Sequence, residues 1–212
     1  MKNLAEVTQH PGLQALADAG IGGWVTGKRI VSVVDEPPRW AVDLAVAQAS
    51  WSPCEKSKRG VVIYDPNGAE AAIGIGTNGW PMGRGGCGAD EACRARCGEL
   101  AVHAETRAIQ RACHFVGVHN YQTSHEVPEG KWLPHFNLKF LHLVHVKVTN
   151  HDGRWELTVG KGPSCMACAA QIADVNLGAV WLYEDHPEGP RWVQYRGQEF
   201  YDVTIKNTAP GR

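Results

Sequence analysis

Two cysteines three residues apart, Cys165 and Cys168, head a short apolar stretch that runs to Asn176 and halts at Gly178. Residues at i and i+3 are neighbours on one helical face, so a helix beginning there turns both sulfurs the same way. Such a pair can share one cation, and a helix N-terminus favours the thiolate form. A disulfide framework fits less well. The chain has 7 cysteines, an odd number, and no stretch near its N-terminus joins a basic start to an apolar run. The expectation is a soluble, cytoplasmic protein whose thiols ligate metal.

At 212 residues, with 43% hydrophobic and 20% charged content, the chain is long enough to enclose one sizeable core. Its net charge of -1 lacks the positive field of a protein that coats nucleic acid or an anionic membrane. The most hydrophobic segment, Phe140 to Val148, is interrupted by His142, His145 and Lys147 and is no membrane span. No internal repeat is present.

Residues 1–38 read as an N-terminal extension, with a short helix near Pro11 to Ala19 and an apolar run from Ile30 to Val34. Residues 39–212 read as one globular domain. Trp40, Leu44, Ala47 and Trp51 recur at helical spacing behind Pro37-Pro38, which predicts a helix over Arg39 to Trp51. Val61 to Tyr64 and Ala71 to Ile75 flank Asp65-Pro66-Asn67-Gly68 and predict a hairpin. Thr77 to Gly98, rich in Gly and Cys, reads as a loop. Ala101, Ala104, Ala108 and Ala112 form the small-residue stripe of an amphipathic helix. Residues 115–139 read as an insertion or long loop. Leu141 to Val148 and Arg154 to Val159 predict a second hairpin, Cys165 to Asn176 a helix, and Ala179 to Tyr183 a buried strand. Strands alternating with helices after an opening hairpin predict a mixed α/β sheet covered by helices.

His103-Ala104-Glu105 opens one of these helices and Cys165-Met166-Ala167-Cys168 opens another. His103 can add a third neutral ligand to the thiolate pair and leave a fourth position open, as in a catalytic rather than a structural zinc site. Residues two apart do not share a helical face, so His103 and Glu105 serve one site only from the first turn. That places the helix start near Val102. Two helices gripping one ion need small residues where they approach, which gives the alanine stripe a reason. Zinc lowers the pKa of a water from about 15.7 to roughly 7. Glu105 would shuttle its proton to the ring nitrogen and leaving amine of an aminopyrimidine, releasing ammonia. The contrasting account is a structural zinc clip with Glu105 solvated, which requires a fourth protein ligand.

His-x-Glu followed by Pro-Cys-x-x-Cys is the signature of zinc-dependent nucleobase deaminases, and the chain resembles it except that Ser164 separates Pro163 from Cys165. Ser52-Pro53-Cys54 running into Gly60-Val61-Val62, the turn Gly76-Thr77-Asn78-Gly79 and the cysteine-bearing loop before His103 are similar to the deoxycytidylate deaminase branch of the cytidine deaminase superfamily. The resemblance implies a three-layer α/β/α cytidine-deaminase-like fold with a mixed five-stranded sheet. It also implies catalytic zinc on His103, Cys165 and Cys168, Glu105 as proton shuttle, and Asn78 bonded to the substrate sugar. The residue two beyond the catalytic Glu is commonly Asn in that branch and is Arg107 here.

Cys87, Cys93 and Cys97 crowd the glycine-rich loop, and Cys54 completes a four-thiolate set for a second, structural zinc. Some deoxycytidylate deaminases are similar in carrying one; the alternative is four reduced thiols, with Cys54 packed as a small hydrophobe. Trp80 and Tyr183 are candidates to stack on a base, and Ala104 and Ser164, beside the ligands, complete the candidate substrate contacts with Asn78. Lys56, Lys58 and Arg59 form a tight basic cluster, either a solvated helix end or a phosphate or polynucleotide contact. His135, His142 and His145 have the wrong spacing for one metal and belong on strands, partly in the core.

The expected activity is hydrolytic deamination of a cytosine nucleotide or nucleoside, deoxycytidylate first. Single-stranded nucleic acid is the alternative substrate, and a catalytically silent zinc module the non-enzymatic alternative. No membrane partner is expected. A homo-oligomer is compatible with the resemblance.

Overall fold

The computed structural model describes residues 36–80, 87, 90–93, 101–121, 138–160 and 165–208. The chain divides between Glu36 and Pro37, so the expected helix near Pro11 and the run from Ile30 lie outside the described residues, as do His135, Cys97 and Ser164.

Helix α1 spans Arg39–Ser50, entered through Pro38, whose carbonyl accepts the Ala41 N–H at 3.0 Å. It is followed by β1 (Lys58–Tyr64), β2 (Ala72–Thr77), α2 (Ala104–Tyr121), β3 (His142–His151), β4 (Arg154–Leu157), α3 (Met166–Asp174), β5 (Ala179–Glu184), β6 (Arg191–Arg196) and α4 (Gly197–Thr208). The sheet has six strands, not the expected five. Its order is β2-β1-β3-β5-β6, with β4 paired to β3. The β3–β5 pairing is parallel and the others antiparallel. The sixth strand exists because β3 is long. Its first half pairs with β5 from His142 to His145, and its second half pairs with β4 from Val148 to His151, along the same edge. The β3–β4 turn is Asp152-Gly153, with φ of 50° and 84°, the double positive φ that a two-residue hairpin matching strand twist requires.

Helices cover both faces. On one, α1 sets Ala41, Val42, Ala45 and Ala49 against Val62, Tyr64, Val144, Val146 and Trp181. On the other, α2, α3 and α4 cover Val61, Ile63, Leu143, Val180 and Leu182. The stripe expected on α1 is displaced: Trp51 is 73% exposed while Ala41, Ala45 and Ala49 are fully buried. The cause is Gly60, where a Cβ would run into the Ala45 carbonyl, so the helix lies too close to the strand for large residues.

The alanines of α2 have the same explanation. A Cβ on Gly76 would strike the Ala104 carbonyl and one on Gly74 the Ala108 carbonyl, so this stripe seats α2 on β2; the expectation that it serves the approach of α2 to α3 is corrected. Helix α2 also runs to Tyr121, turning the first part of the expected insertion at 115–139 into helix. Strand β6 and helix α4 were not anticipated.

Candidate metal and acid site

The first turn of α2 is held from below. Val102 exchanges two backbone hydrogen bonds with Gly79 (2.9 and 3.1 Å). Arg107 donates from Nη1 to the Thr77 carbonyl (2.9 Å) and from Nη2 to those of Gly79 (3.3 Å) and Trp80 (2.6 Å). The arginine standing where the resembled branch has Asn is therefore a clamp on the turn beneath the site. His103 lies just before the helix, and its carbonyl accepts the Arg107 N–H at 3.2 Å. The start at Ala104 is two residues beyond the expected one and still places Glu105 in the first turn.

Cys165 is the N-cap of α3, its Sγ accepting the Cys168 N–H at 3.4 Å. This is the ordinary N-cap use of a side-chain acceptor. The two helix starts meet: His103 Nδ1 lies 3.2 Å from each Sγ, and the sulfurs are 3.3 Å apart. Thr106 ties the helices further by donating to Gln171 Oε1 at 2.9 Å. Cys165 is pushed down to about 4, first by its hydrogen bond with Cys168 and then by that with His103. His103 is raised, chiefly by its hydrogen bond to Cys165.

The donors fit a small tetrahedral cation. Zn–S of about 2.3 Å and Zn–N of about 2.0–2.1 Å put tetrahedral ligands roughly 3.6–3.8 Å apart. The observed separations are reached by spreading the side chains about half an ångström. Among the described residues, the group of His, Cys, Asp or Glu donors lying within 4.8 Å of one another is His103, Cys165 and Cys168.

Glu105 is 3% exposed and His145, on β3, is 7% exposed. His145 Nδ1 faces Glu105 Oε1 at 3.5 Å, and its Nε2 lies 3.3 Å from Arg59 Nη1. A guanidinium only donates, so Nε2 accepts and the ring proton sits on Nδ1, directed at the carboxylate. Burial, the largest influence on His145, lowers its pKa and favours this neutral form. Sequence reasoning placed His145 in the core and missed this contact. The available clue was an ionisable residue at an inward position of an otherwise apolar strand.

Arg59 thus turns inward rather than joining a surface cluster. Lys58 donates to the Ser52 carbonyl at 2.6 Å and lies over the Trp155 ring. Asn78 also works within the chain. Its Oδ1 accepts from the Ser52 hydroxyl and the Arg59 N–H (2.8 Å each), and its Nδ2 donates to the Ser57 carbonyl at 2.7 Å. Trp80 is half-buried beside it, Ala104 is buried against β2, and Tyr183 packs on Trp192 with ring centroids 5.4 Å apart. Of the second cysteine set, Cys87 and Cys93 bring their sulfurs to 3.6 Å. None of the described cysteines forms a disulfide.

No protein-family model and no curated protein matches the sequence. Among solved structures, the crystal structure of dCMP deaminase from the cyanophage S-TIM5, in apo form, is similar at a TM-score of 0.42 with 16% sequence identity, covering 78% of this chain and 87% of that chain.

Proposed function

We propose that this chain is a zinc-dependent hydrolytic deaminase of a cytosine nucleotide or nucleoside, deoxycytidylate first. The observation that carries the reading is the meeting of two helix starts. It gathers His103, Cys165 and Cys168 within 4.8 Å of one another and places buried Glu105 in the turn that follows His103. The three donors would hold zinc. Bound zinc brings the pKa of a water to about 7 and makes a nucleophile available at neutral pH. Glu105 would take the water's two protons in turn, passing the first to the ring nitrogen as the oxygen adds to C4 and the second, from the added hydroxyl, to the exocyclic amine as it leaves. The C4–N bond breaks as a C4–O bond forms, giving the uracil compound and ammonia. His145 holds Glu105 through its Nδ1–H, and Arg59 holds His145.

The preference for a free nucleotide follows the sequence resemblance. It is supported by the net charge of -1, which lacks the positive field of a polynucleotide binder; Lys58 and Arg59, engaged within the chain, favour neither substrate. No described helix is long and apolar enough to cross a membrane. Cys54, Cys87, Cys93 and Cys97 are the proposed holders of a second zinc, which a metal count near two per chain would reveal.

The test is ammonia release from deoxycytidine, deoxycytidylate and a cytosine-bearing single-stranded oligonucleotide, with zinc counted in the same samples. Release should be fastest from deoxycytidylate. Glu105→Ala should reduce it about 10²–10⁴-fold while leaving zinc bound. Undiminished release in that variant overturns the mechanism. Fastest release from the oligonucleotide, with salt-sensitive binding, overturns the substrate.

A further inference from the structure

The side-chain amide of Asn78 is committed within the chain. Its Oδ1 accepts from the Ser52 hydroxyl and from the Arg59 N–H at 2.8 Å each, and its Nδ2 donates to the Ser57 carbonyl at 2.7 Å. A backbone N–H requires the oxygen and a backbone carbonyl the nitrogen, so the amide has one possible orientation. It serves the groups on either side of Lys58 as a facing strand does, beyond the last β1–β2 pair at Gly60 and Thr77. An amide oxygen has two lone pairs and an amide nitrogen two N–H groups. One N–H is what remains, and a sugar hydroxyl could donate to Oδ1 only by displacing Arg59 or Ser52, which is buried.

Arg59, which this amide holds, is fastened by both its backbone and its side chain. Its carbonyl accepts the Asn78 N–H at 3.3 Å and the Thr77 hydroxyl at 3.2 Å. Its guanidinium donates from Nε to Ser57 Oγ at 3.1 Å and from Nη1 to His145 Nε2 at 3.3 Å. The other nitrogen of that imidazole faces Glu105 Oε1 at 3.5 Å. His145 itself sits mid-sheet, between Val61 of β1 and Leu182 of β5. The connector leaving β4 secures β3 and β5 just beyond it: the Thr158 N–H donates to the Lys147 carbonyl at 2.8 Å and the Gly160 N–H to the Tyr183 carbonyl at 3.0 Å. The sheet therefore fixes the backbone of His145. What Arg59 governs is the ring: which nitrogen carries the proton and which way the imidazole turns.

We propose that Asn78 and Arg59 are positioning residues of Glu105, acting through His145, and that the sugar is bound without Asn78. The inference rests on the deaminase reading above and concerns the same site. Asn78 orients Arg59 at the entry to β1, and Arg59 keeps His145 Nε2 an acceptor. The proton so placed on Nδ1 holds the carboxylate where proton transfer takes place. Such a chain sets kcat and leaves substrate affinity alone, whereas a sugar contact discriminates between substrates with and without the hydroxyl.

The experiment uses the zinc-loaded full chain and compares deoxycytidylate with 2′,3′-dideoxycytidylate, which lacks the sugar hydroxyl, with zinc counted in every variant. Asn78→Ala should lower kcat for both compounds by the same factor, about tenfold, with KM and zinc content little changed. A loss confined to deoxycytidylate assigns Asn78 to the sugar and overturns the proposal. Arg59→Met, which keeps the backbone bonds and the aliphatic stem, should also lower kcat about tenfold, and Arg59→Lys, which keeps a donor, should recover part of it. In a His145→Ala background, Arg59→Met should lower kcat no further; a second loss of about tenfold shows that Arg59 acts elsewhere and overturns the proposal. Nitrogen NMR of the substrate-free protein reads the ring, with the His145 signal identified by its loss in His145→Ala. The proton should sit on Nδ1 in the wild type and redistribute towards Nε2 in Arg59→Met. A wild-type proton on Nε2, or an unchanged distribution in the variant, overturns the proposal whatever the activity. Neither of these last two readouts needs Asn78→Ala to fold. If the wild type deaminates while kcat stays within about two-fold in both Asn78→Ala and Arg59→Met, the inference fails and the function stands. If it deaminates neither compound, both fail.

Discussion

The two faces of the sheet are built from alternate residues of the same strands and are put to different uses. Towards α1, the strands present Val62, Tyr64, Val144, Val146, Val148 and Trp181, an apolar surface. Towards α2 and α3 the surface is apolar at one end, with Ile63, Leu143 and Val180, and then changes character. Arg59, His145, Lys147 and Glu184 follow Val61, Leu143 and Leu182 on that same face. The difference teaches where this fold carries its buried acid and imidazole: at one end of one face, backed by an opposite face built mainly on Val62, Val144, Val146 and Trp181. The buried carboxylate of Glu105 is met there by His145 from β3, which in turn is met by Arg59 from β1. Such matching is the condition for burying charge at modest cost.

The largest expected effect tests whether the site face is a metal site at all. Cys168→Ser should lower the zinc count by one per chain, read by metal analysis after dialysis, and chelation of the wild type should remove that zinc reversibly. Next is a matched pair of glycine substitutions, one per face. Gly60→Ala pushes α1 off β1 and Gly76→Ala pushes α2 off β2, each at a cost of about 1–3 kcal/mol in chemical denaturation. Only Gly76→Ala, which displaces the turn bearing His103 and Glu105, should weaken zinc binding. Equal weakening by both would dissolve the distinction between the faces. The smallest effect sharpens it. His145→Ala should lower kcat about tenfold with little change in KM or zinc content, and His145→Asn, which keeps an N–H, should recover part of the loss.

Much of the fold could be read from spacing. The hairpin at Asp152-Gly153, the helix behind Pro38 and the buried strand from Ala179 are local patterns, and local patterns carry to the structure. The donor cluster was legible for the same reason, since both halves lie at helix starts with local punctuation. Three things were not. The buried face of α1 was misplaced because Trp40 and Leu44 outweigh alanine in any hydrophobic pattern, while the decisive contact is the backbone of Gly60. Strand β6 is an edge strand, half-exposed along its length, with no clear alternation. The contact of Arg59 with His145 depends on cross-strand register between segments 86 residues apart in sequence.

The connector after β4 has one further consequence. Because Thr158 and Gly160 are fastened to β3 and β5 before the chain reaches Cys165, the point at which the backbone returns is independent of what lies beyond it. The exposed tip at Asp152-Gly153 is therefore an attachment point. A loop, a tag or a whole module grafted there would leave the geometry of the thiol pair untouched, and the molecule can acquire new appendages at that corner without renegotiating its chemistry.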